Sequence, residues 1–325
     1  MVYQRPWKSF HQQLDILLQR GIQVSDEAAA LEHLERVGYY RLSAYWYPFR
    51  VFKTIGHDKH HRPVNQATDQ FVPGTEFNDA IRLYLFDKKL RLHLTDALER
   101  VEVALRVDIA YVLGEQDTFA HLKRETFHKS FARKPVGKER KEAFVSWQGH
   151  AKRMEDRSKE DFVKHYRQKH SFRLPIWVAV ETWDFGTLSH LFAMMKVPDQ
   201  KRIAHKYGVH DWQIFQSWLR SLNYLRNLCA HHSRLWNRNI IDQPKLPQKG
   251  SIIWCDAFHD QPQLIARPFL LLSILRHMTR AICPNTHWHR RLQEHLVNFP
   301  AQHAECSLSL ADMGAPRDWE GWWSE

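Results

Sequence analysis

An arginine and a histidine with four residues between them, Arg226 and His231, carry the clearest chemical signal of this sequence, and Asn227 directly follows the arginine. An imidazole with an ordinary pKa of about 6.5 can accept the proton of a ribose 2′-hydroxyl or donate one to the leaving 5′-oxygen. A guanidinium can stabilise the charge that builds on the phosphorane, and the amide can fix the imidazole tautomer or hold a phosphate oxygen. The three residues predict RNA cleavage without a metal ion, which would leave a 2′,3′-cyclic phosphate and a 5′-hydroxyl.

The segment around these residues, from Trp212 to Ile241, contains four arginines and two histidines but no lysine, aspartate or glutamate. An exposed helix usually pairs glutamate with lysine, whereas arginine without acidic partners suits phosphate oxygens. Asp211 is a suitable cap at the start, and proline and glycine residues follow Asp242. We therefore expect one helix that ends by about Asp242.

A helical projection of this segment separates two faces. The apolar face is predicted to be buried and consists of Phe215, Leu219, Leu222 and Cys229. The polar face consists of Arg220, Asn223, Asn227, His231, Arg234 and Asn237. Of these, we expect Arg220, Asn223 and Asn237 to bind RNA. Arg226 points close to the apolar face, which predicts that a partner residue or a second subunit orients it. Spacing alone also fits a helix end that docks through polar contacts.

The elements that must position this helix are themselves helical. Apolar residues recur every three or four positions from Gly74 to Gly114, which predicts a core helix of about 35 to 40 residues. Two short helices are expected between Ser9 and Gly38, one from about Pro175, and a short one from about Trp288 to Val297. RPFLLLSILRHMTRAIC predicts a last strongly apolar helix. Because no segment alternates with a period of two, the fold class is predicted as an all-α helical bundle.

Two segments lack clear periodicity. The stretch from Thr54 to Pro73 is expected to be a polar loop, and its three histidines have only Asp58 nearby, so we expect no zinc site. GYYRLSAYWYPFR is rich in aromatic residues beside Arg41 and Arg50. Those rings either fill a corner of the core or stack on unpaired bases.

The charge of the chain favours nucleic acid as a partner. With 47 Lys and Arg against 36 Asp and Glu, the net charge is +11. The segment from His121 to Arg173 holds 16 of these cations and 7 anions, a net +9. The candidate RNA contacts outside the catalytic segment are Arg41, Lys134, Lys138, Arg140 and Lys141. A basic insertion that only keeps the protein soluble is the alternative.

The composition of the chain indicates its cellular location and the state of its cysteines. No apolar run is long enough to span a bilayer, and the N-terminal residues lack a secretory signal, so a cytoplasmic protein is expected. The four cysteines are scattered without a CxxC pair, which indicates reduced thiols. We expect neither a cofactor nor a metal.

The run LNYLRNLCAHHSRLWNR resembles the signature of the Abi-like abortive-infection family, whose helical domain belongs to the HEPN superfamily with its R-x4-6-H motif. RVGYYRLSAYWYPFR, FVPGTEFNDAIRLYLFDKKLRLHLTDALERVEVALR, LPIWVAVETWDFGTLSHLF and MGAPRDW resemble further blocks of that family, of the AbiD and AbiF type, in the same order. The resemblance covers essentially the whole chain.

The resemblance implies a nuclease with Arg226, Asn227 and His231 at the catalytic position. It also implies a homodimer with a composite site, a role in phage defence, and restraint by a partner such as a small structured RNA. The supporting residues that we expect are His232, Arg234, Glu99 and Glu102. The expected organisation is an N-terminal helical subdomain (1–60), a HEPN-type bundle (61–300) with the basic insertion at about 121–173, and an aromatic tail (301–325).

Three other functions fit parts of the sequence. In a non-catalytic RNA-binding scaffold, His231 would only bind phosphate. A DNA-binding regulator fits the charge, but no helix-turn-helix of the usual length is recognisable. A metallo-nuclease has the least support, because no cluster of acidic residues with histidine stands out.

Overall fold

The structure is a computed structural model and describes residues 6–138, 140–169, 173–300, 306 and 308–324. The α-helices are α1 (Phe10–Gln19), α2 (Glu27–Arg36), α3 (Tyr39–Trp46), α4 (Phe77–Gly114), α5 (Lys129–Ala132), α6 (Ala143–Arg157), α7 (Asp161–Lys169), α8 (Ile176–Ala179), α9 (Phe185–Met194), α10 (Val197–Lys206), α11 (Trp212–Ala230), α12 (Pro262–Ile265), α13 (Pro268–Ile282), α14 (Trp288–Val297) and α15 (Trp319–Trp323). Short 3-10 helices lie at Tyr47–Phe49, Ala120–Leu122, Arg124–Thr126, Val180–Thr182, Ile253–Phe258 and Leu310–Met313. The strands are β1 (Arg50–His57), β2 (Pro63–Phe71), β3 (Pro135–Val136) and β4 (Lys141–Glu142).

The predicted all-α fold class is confirmed, because the strands found among the described residues form only two small antiparallel pairs, β1 with β2 and β3 with β4. Helix α4 has the predicted length, 38 residues, and α13 and α14 lie where their patterns place them. Among the described residues, no helix is both long enough and apolar enough to cross a membrane.

The chain divides into two compact units. The first unit contains Met1–Leu90 and Glu294–Asp312, and the second contains Arg91–Gln293 and Met313–Glu325. The predicted boundary after residue 60 falls in the turn between β1 and β2, inside the first unit. The motif residues Arg226, Asn227 and His231 all belong to the second unit.

In the first unit, part of the aromatic segment lies in the core. Helix α1 begins at a capping box in which Ser9 and Gln12 bond reciprocally. Of the aromatic residues that follow α2, Tyr45 and Trp46 are buried, and the Tyr45 hydroxyl donates to Asp87 at 2.6 Å. Tyr40 is 90% exposed. Core packing therefore accounts for part of this segment and leaves some rings on the surface.

The expectation of a polar loop from Thr54 to Pro73 was wrong, because these residues form most of the β1–β2 hairpin. Nearly all side chains of both strands are exposed or half-buried, so no face imposes the apolar alternation by which a strand is recognised. The pairing is also irregular at two points, between Arg50 and Phe52 and between Thr54 and Gly56. In the turn, the Asp58 side chain accepts hydrogen bonds from the backbone of His60 and Arg62.

In the second unit, α11 packs against both α9 and α13, and the unit also contains α4 from Arg91 onward. The apolar face predicted for α11 is confirmed, since all four of its residues are buried. The segment from Pro175 is broken into α8, a 3-10 turn and α9. The break lies at Asp184, whose side chain accepts from Thr187 and caps α9.

The basic segment is ordered where it is described. It contains α5, the β3–β4 pair, α6 and α7, and Trp147 of α6 is buried, with its indole N–H donating to the Thr187 carbonyl at 2.9 Å. In the C-terminal tail, Trp319 and Trp323 are buried, and Trp323 donates to the His289 carbonyl at 3.0 Å.

The buried His121, at the start of this basic segment, is expected to make the folded protein less stable in acid. Its ring is buried at 5.6 Å from Trp183, and burial lowers its pKa from 6.5 to about 4. Folding must therefore keep it neutral, so its contribution to stability is complete above about pH 6.5 and is lost as the pH falls towards 4. We expect His121→Phe to remove about 3 kcal/mol of this acid dependence, measured by urea unfolding between pH 7 and pH 4. His210→Phe, at an exposed histidine, should leave the dependence unchanged; equal curves for the two variants would contradict the prediction.

Candidate active site

Helix α11 ends at Ala230, and the expectation that it continues to about Asp242 was wrong. His231 is its C-cap, and His232 adopts a left-handed conformation with φ 54°. The His232 N–H then donates to the Cys229 carbonyl at 3.1 Å, and the Ser233 N–H donates to the Leu228 carbonyl at 2.9 Å. This pair of bonds closes the helix, so His231, Arg234 and Asn237 do not continue one helical face with Asn227.

The loop that carries the two histidines is held by a residue that no sequence pattern singled out. Arg91 of α4 is buried and donates from Nη1 to the Ser233 carbonyl at 3.2 Å. A left-handed residue other than glycine is strained, and such strain is found at functional sites. Arg91 therefore fixes the turn at which His231 and His232 are presented to solvent.

Helix α4 supplies an acidic partner for Arg226. Its Nε lies 3.7 Å from Oε2 of Glu102, whose side chain is only 13% exposed. The other oxygen of Glu102 accepts from Arg106 at 2.6 Å. Arg106 also donates to the Trp183 carbonyl at 2.9 Å. Glu102 thus holds both arginines, whereas Glu99 is exposed on the same helix and does not take part in this pair.

The surroundings of Arg226 shift the pKa values of two carboxyl groups in opposite directions. Burial raises the pKa of Glu102, while the charges of Arg106 and Arg226 oppose the rise. Burial also acts to raise the pKa of Asp184, but hydrogen bonds from Thr187, with His150 and Arg226 nearby, hold it below its ordinary range. Arg226 therefore faces one carboxylate that stays ionised and one that is easier to protonate.

A groove of about 670 Å³ begins beside the motif, and Asn227 and Asn223 both line it. Helix α6 contributes His150 and Arg153, and α9 contributes Gly186 and His190. A Cβ atom on Gly186 would lie 3.3 Å from Oδ1 of Asn223, so the glycine leaves room for this amide. The sequence analysis selected none of the groove residues of α6 and α9 as site residues. Polar residues at spacings of three and four are common on helices, so this pattern does not distinguish them.

The other predicted residues are dispersed. His232 is exposed and Arg234 half-buried in the loop after α11, and Asn237 is half-buried with its carbonyl accepting from Arg267 at 2.7 Å. Arg220 is exposed on α11, 3.5 Å from Asp242.

Of the predicted basic contacts, Lys134 lines the groove. Lys138, Arg140 and Lys141 are exposed at the β3–β4 turn. Arg41 is exposed on α3 of the first unit.

Among the described residues, no three histidine, cysteine, aspartate or glutamate side chains are grouped so that they could hold a metal ion. The four cysteines are free thiols.

The site thus combines an arginine paired with a largely buried carboxylate, a polar groove and a histidine at a helix end, within an all-α fold. A family model described as Abi-like protein matches residues 32–237, and the chain belongs to this family. Membership is consistent with a role in phage defence by abortive infection. No curated protein and no solved structure matches the chain.

Proposed function

We propose that this protein is a metal-independent endoribonuclease of the HEPN type that acts in abortive infection. The observation that carries the proposal is the Arg226–Glu102 ion pair, which orients a guanidinium one residue before an amide that lines a polar groove. Family membership supports the biological setting. The substrate would be cytoplasmic RNA.

In the proposed reaction, the ribose 2′-oxygen attacks the adjacent phosphorus and the bond from phosphorus to the 5′-oxygen breaks. A general base takes the 2′-hydroxyl proton, and a general acid delivers a proton to the 5′-oxygen. His231 fills one of these roles, because it is exposed to substrate at the end of α11. Arg226 offsets the charge on the phosphorane, and Asn227 positions a phosphate oxygen or the imidazole.

One chain offers one motif, so the proposal includes a homodimer that joins two motifs in a composite site. An exposed apolar stripe on α4 supports this. Val103, Val107 and Tyr111 lie one turn apart, and Tyr111 and Trp177 are 66% and 48% exposed. Val107, Tyr111 and Trp177 line a shallow groove with Glu181, which pairs with Arg106 at 3.4 Å. The stripe thus adjoins the network that holds Arg226, and a second copy is the occupant that would bring two motifs together.

The dimer proposal predicts that a negative charge placed on the apolar stripe of α4 weakens self-association. Val107→Asp should weaken self-association roughly a hundredfold or more, because an unpaired carboxylate would be buried. Sedimentation velocity over a range of protein concentrations measures this. Ile253→Asp, at a position that is 81% exposed, is the control and should associate like the wild type. A wild-type protein that stays monomeric at every concentration would overturn the dimer.

We also propose that an RNA partner restrains the nuclease. The described basic residues of the segment 121–173 are largely exposed, including Lys138, Arg140 and Lys141 at the β3–β4 turn. Contacts of exposed lysine and arginine with phosphates are non-specific and sensitive to salt. They would hold a structured RNA through its shape and backbone.

A non-catalytic RNA-binding scaffold is the second candidate. The polar groove beside Asn223 and Asn227 favours it, because amide side chains recognise base edges without any chemistry. In this function His231 would be a phosphate ligand, and its loss would leave the RNA-dependent phenotype intact.

One assay separates these two candidates. Purified protein, stripped of co-purifying RNA in high salt, is incubated with end-labelled total RNA in EDTA, and the new termini are analysed. We expect cleavage that survives chelation and leaves 2′,3′-cyclic phosphates with 5′-hydroxyls. Tight binding without any cut supports the scaffold, and cleavage that chelation abolishes contradicts the metal-independent mechanism.

A further inference from the structure

A second groove adjoins the one beside the motif. It measures about 430 Å³ and shares Phe131, His190, Ala193 and Gln216 with the first. We call the two together the α11 trough. Along one face of α11, its lining residues run from Gln213 through Gln216 and Arg220 to Asn227. At the rise of an α-helix, this stripe is about 20 Å long.

Three helices supply most of the residues that line the trough. Helix α11 supplies the stripe, and α9 supplies Gly186, His190 and Ala193 at intervals of four and three residues. Helix α6 supplies His150 and Arg153 on the other side. Small residues at 186 and 193 keep the α9 side low. The result is an open channel rather than a closed pocket.

The chemistry of the lining suits a polyanion with unpaired bases. Lys134 and Arg153 line the first groove, Arg220 and Lys245 line the second, and Asp184 is the carboxylate among the lining residues. Asp184 is occupied as the cap of α9, where it accepts two hydrogen bonds from Thr187 at 2.8 Å. On the α11 stripe itself, Arg220 is accompanied by the amides of Gln213, Gln216, Asn223 and Asn227. Cations bind phosphates without reading sequence, whereas amides can bond the edges of unstacked bases.

We propose that the α11 trough binds a single-stranded segment of RNA, with the backbone on Arg153, Arg220 and Lys245 and the bases on Gln216 and Asn223. This names the substrate class of the nuclease and rests on the proposed function. A channel sunk between helices admits a single strand, whereas a duplex offers it only a convex outer surface. The strand reaches the motif at Asn227, which is the end of the trough nearest the Arg226–Glu102 pair.

The proposal assigns the cationic lining residues to the RNA backbone and the amide residues to the bases. Binding measurements can test each assignment. The protein used is the full chain with His231→Ala, which prevents the RNA from being consumed. The probes are end-labelled, unstructured RNA homopolymers of A, C and U and an RNA hairpin. Affinities are measured by fluorescence anisotropy over a range of salt concentrations.

Arg153→Ala should weaken binding of the single strands about tenfold or more, because a charge-assisted hydrogen bond is lost. It should also lower the slope of log K against log salt by about 0.7, the value for one phosphate contact on a single strand. Gln216→Ala should change the ratio of affinities among the homopolymers and leave the salt slope unchanged. Arg157→Ala, one turn further along α6 and outside the lining, is the matched control and should change neither quantity.

Equal effects of Arg153→Ala and Arg157→Ala, or a hairpin that binds as tightly as the single strands, would overturn the trough proposal. Circular dichroism and urea unfolding establish that each variant is folded. The outcome is independent of the cleavage assay. If the protein binds single strands as described but never cuts RNA, the trough proposal holds and the nuclease proposal fails. If the protein cuts RNA but Arg153→Ala binds RNA like Arg157→Ala, the nuclease proposal holds and the trough proposal fails.

Discussion

Replacing His231 with alanine is expected to lower the rate of RNA cleavage by about 10² to 10⁴, the usual contribution of a general acid or base. Because His231 is exposed and caps α11 through its backbone rather than its ring, the free energy of unfolding should change by no more than about 0.5 kcal/mol. Single-turnover cleavage and urea unfolding measure the two quantities. A large loss of rate at constant stability is the result expected of a residue that acts on the substrate.

The control is His205→Ala, which removes an exposed histidine from α10 of the same unit. It should cleave RNA like the wild type. The dependence of rate on pH gives a second readout, because an imidazole in acid–base catalysis leaves a limb in the pH profile that disappears with the ring. If His231→Ala retains the wild-type rate and pH profile, His231 is not the catalytic imidazole.

Arg226→Ala is expected to lower cleavage by about 10² to 10³, since removal of one preorganised donor to a transition-state oxyanion has effects of this size. Arg226→Lys should recover little of the rate, because lysine lacks the planar fork of the guanidinium. Stability should fall by about 1 kcal/mol or less. Glu102 keeps its partner Arg106, and Arg226 is 38% exposed, so its ion pair is partly screened.

The same substitution has an electrostatic readout that is independent of activity. Arg226 opposes the rise in the pKa of Glu102, so Arg226→Ala should raise that pKa further. A glutamate whose pKa is raised on folding contributes stability below its ordinary value of about 4.3, and this is lost as the pH rises through the folded pKa. The variant should therefore lose more stability than the wild type between pH 4 and pH 7. An unchanged pH dependence would mean that the Arg226–Glu102 pair does not form in solution.

Glu102→Gln tests whether the carboxylate positions Arg226. It should reduce cleavage by about tenfold, less than the loss of Arg226 itself, because the guanidinium remains but is no longer held by a charge. In combination with Arg226→Ala it should have no further effect, since contacting residues are not additive. An additive double variant would show that Glu102 acts on the reaction by another route.

The elements of this protein were largely predictable from local patterns. The bounds of α4 follow from apolar residues at intervals of three and four up to Gly114, and Asp211 marks the start of α11. These signals lie within a few residues of the structure that they predict, because helical periodicity and capping are local. The β1–β2 hairpin was not predicted, because strands that are exposed on both faces show no apolar alternation.

The sequence by itself determined the composition of the candidate site: an arginine, an amide and a histidine in one short segment, a buried face that anchors α11, and two acidic residues on α4 from which a partner could come. Only the tertiary structure decided between Glu102 and Glu99, because the rotation of α4 against α11 depends on packing along both helices. It also placed Lys134, His150 and Arg153 beside Asn227, and it ended the helix before His231 through the left-handed turn at His232 and the anchor from Arg91. Contacts between residues that are far apart in the chain are set by how whole helices pack together, and no spacing within one segment encodes them.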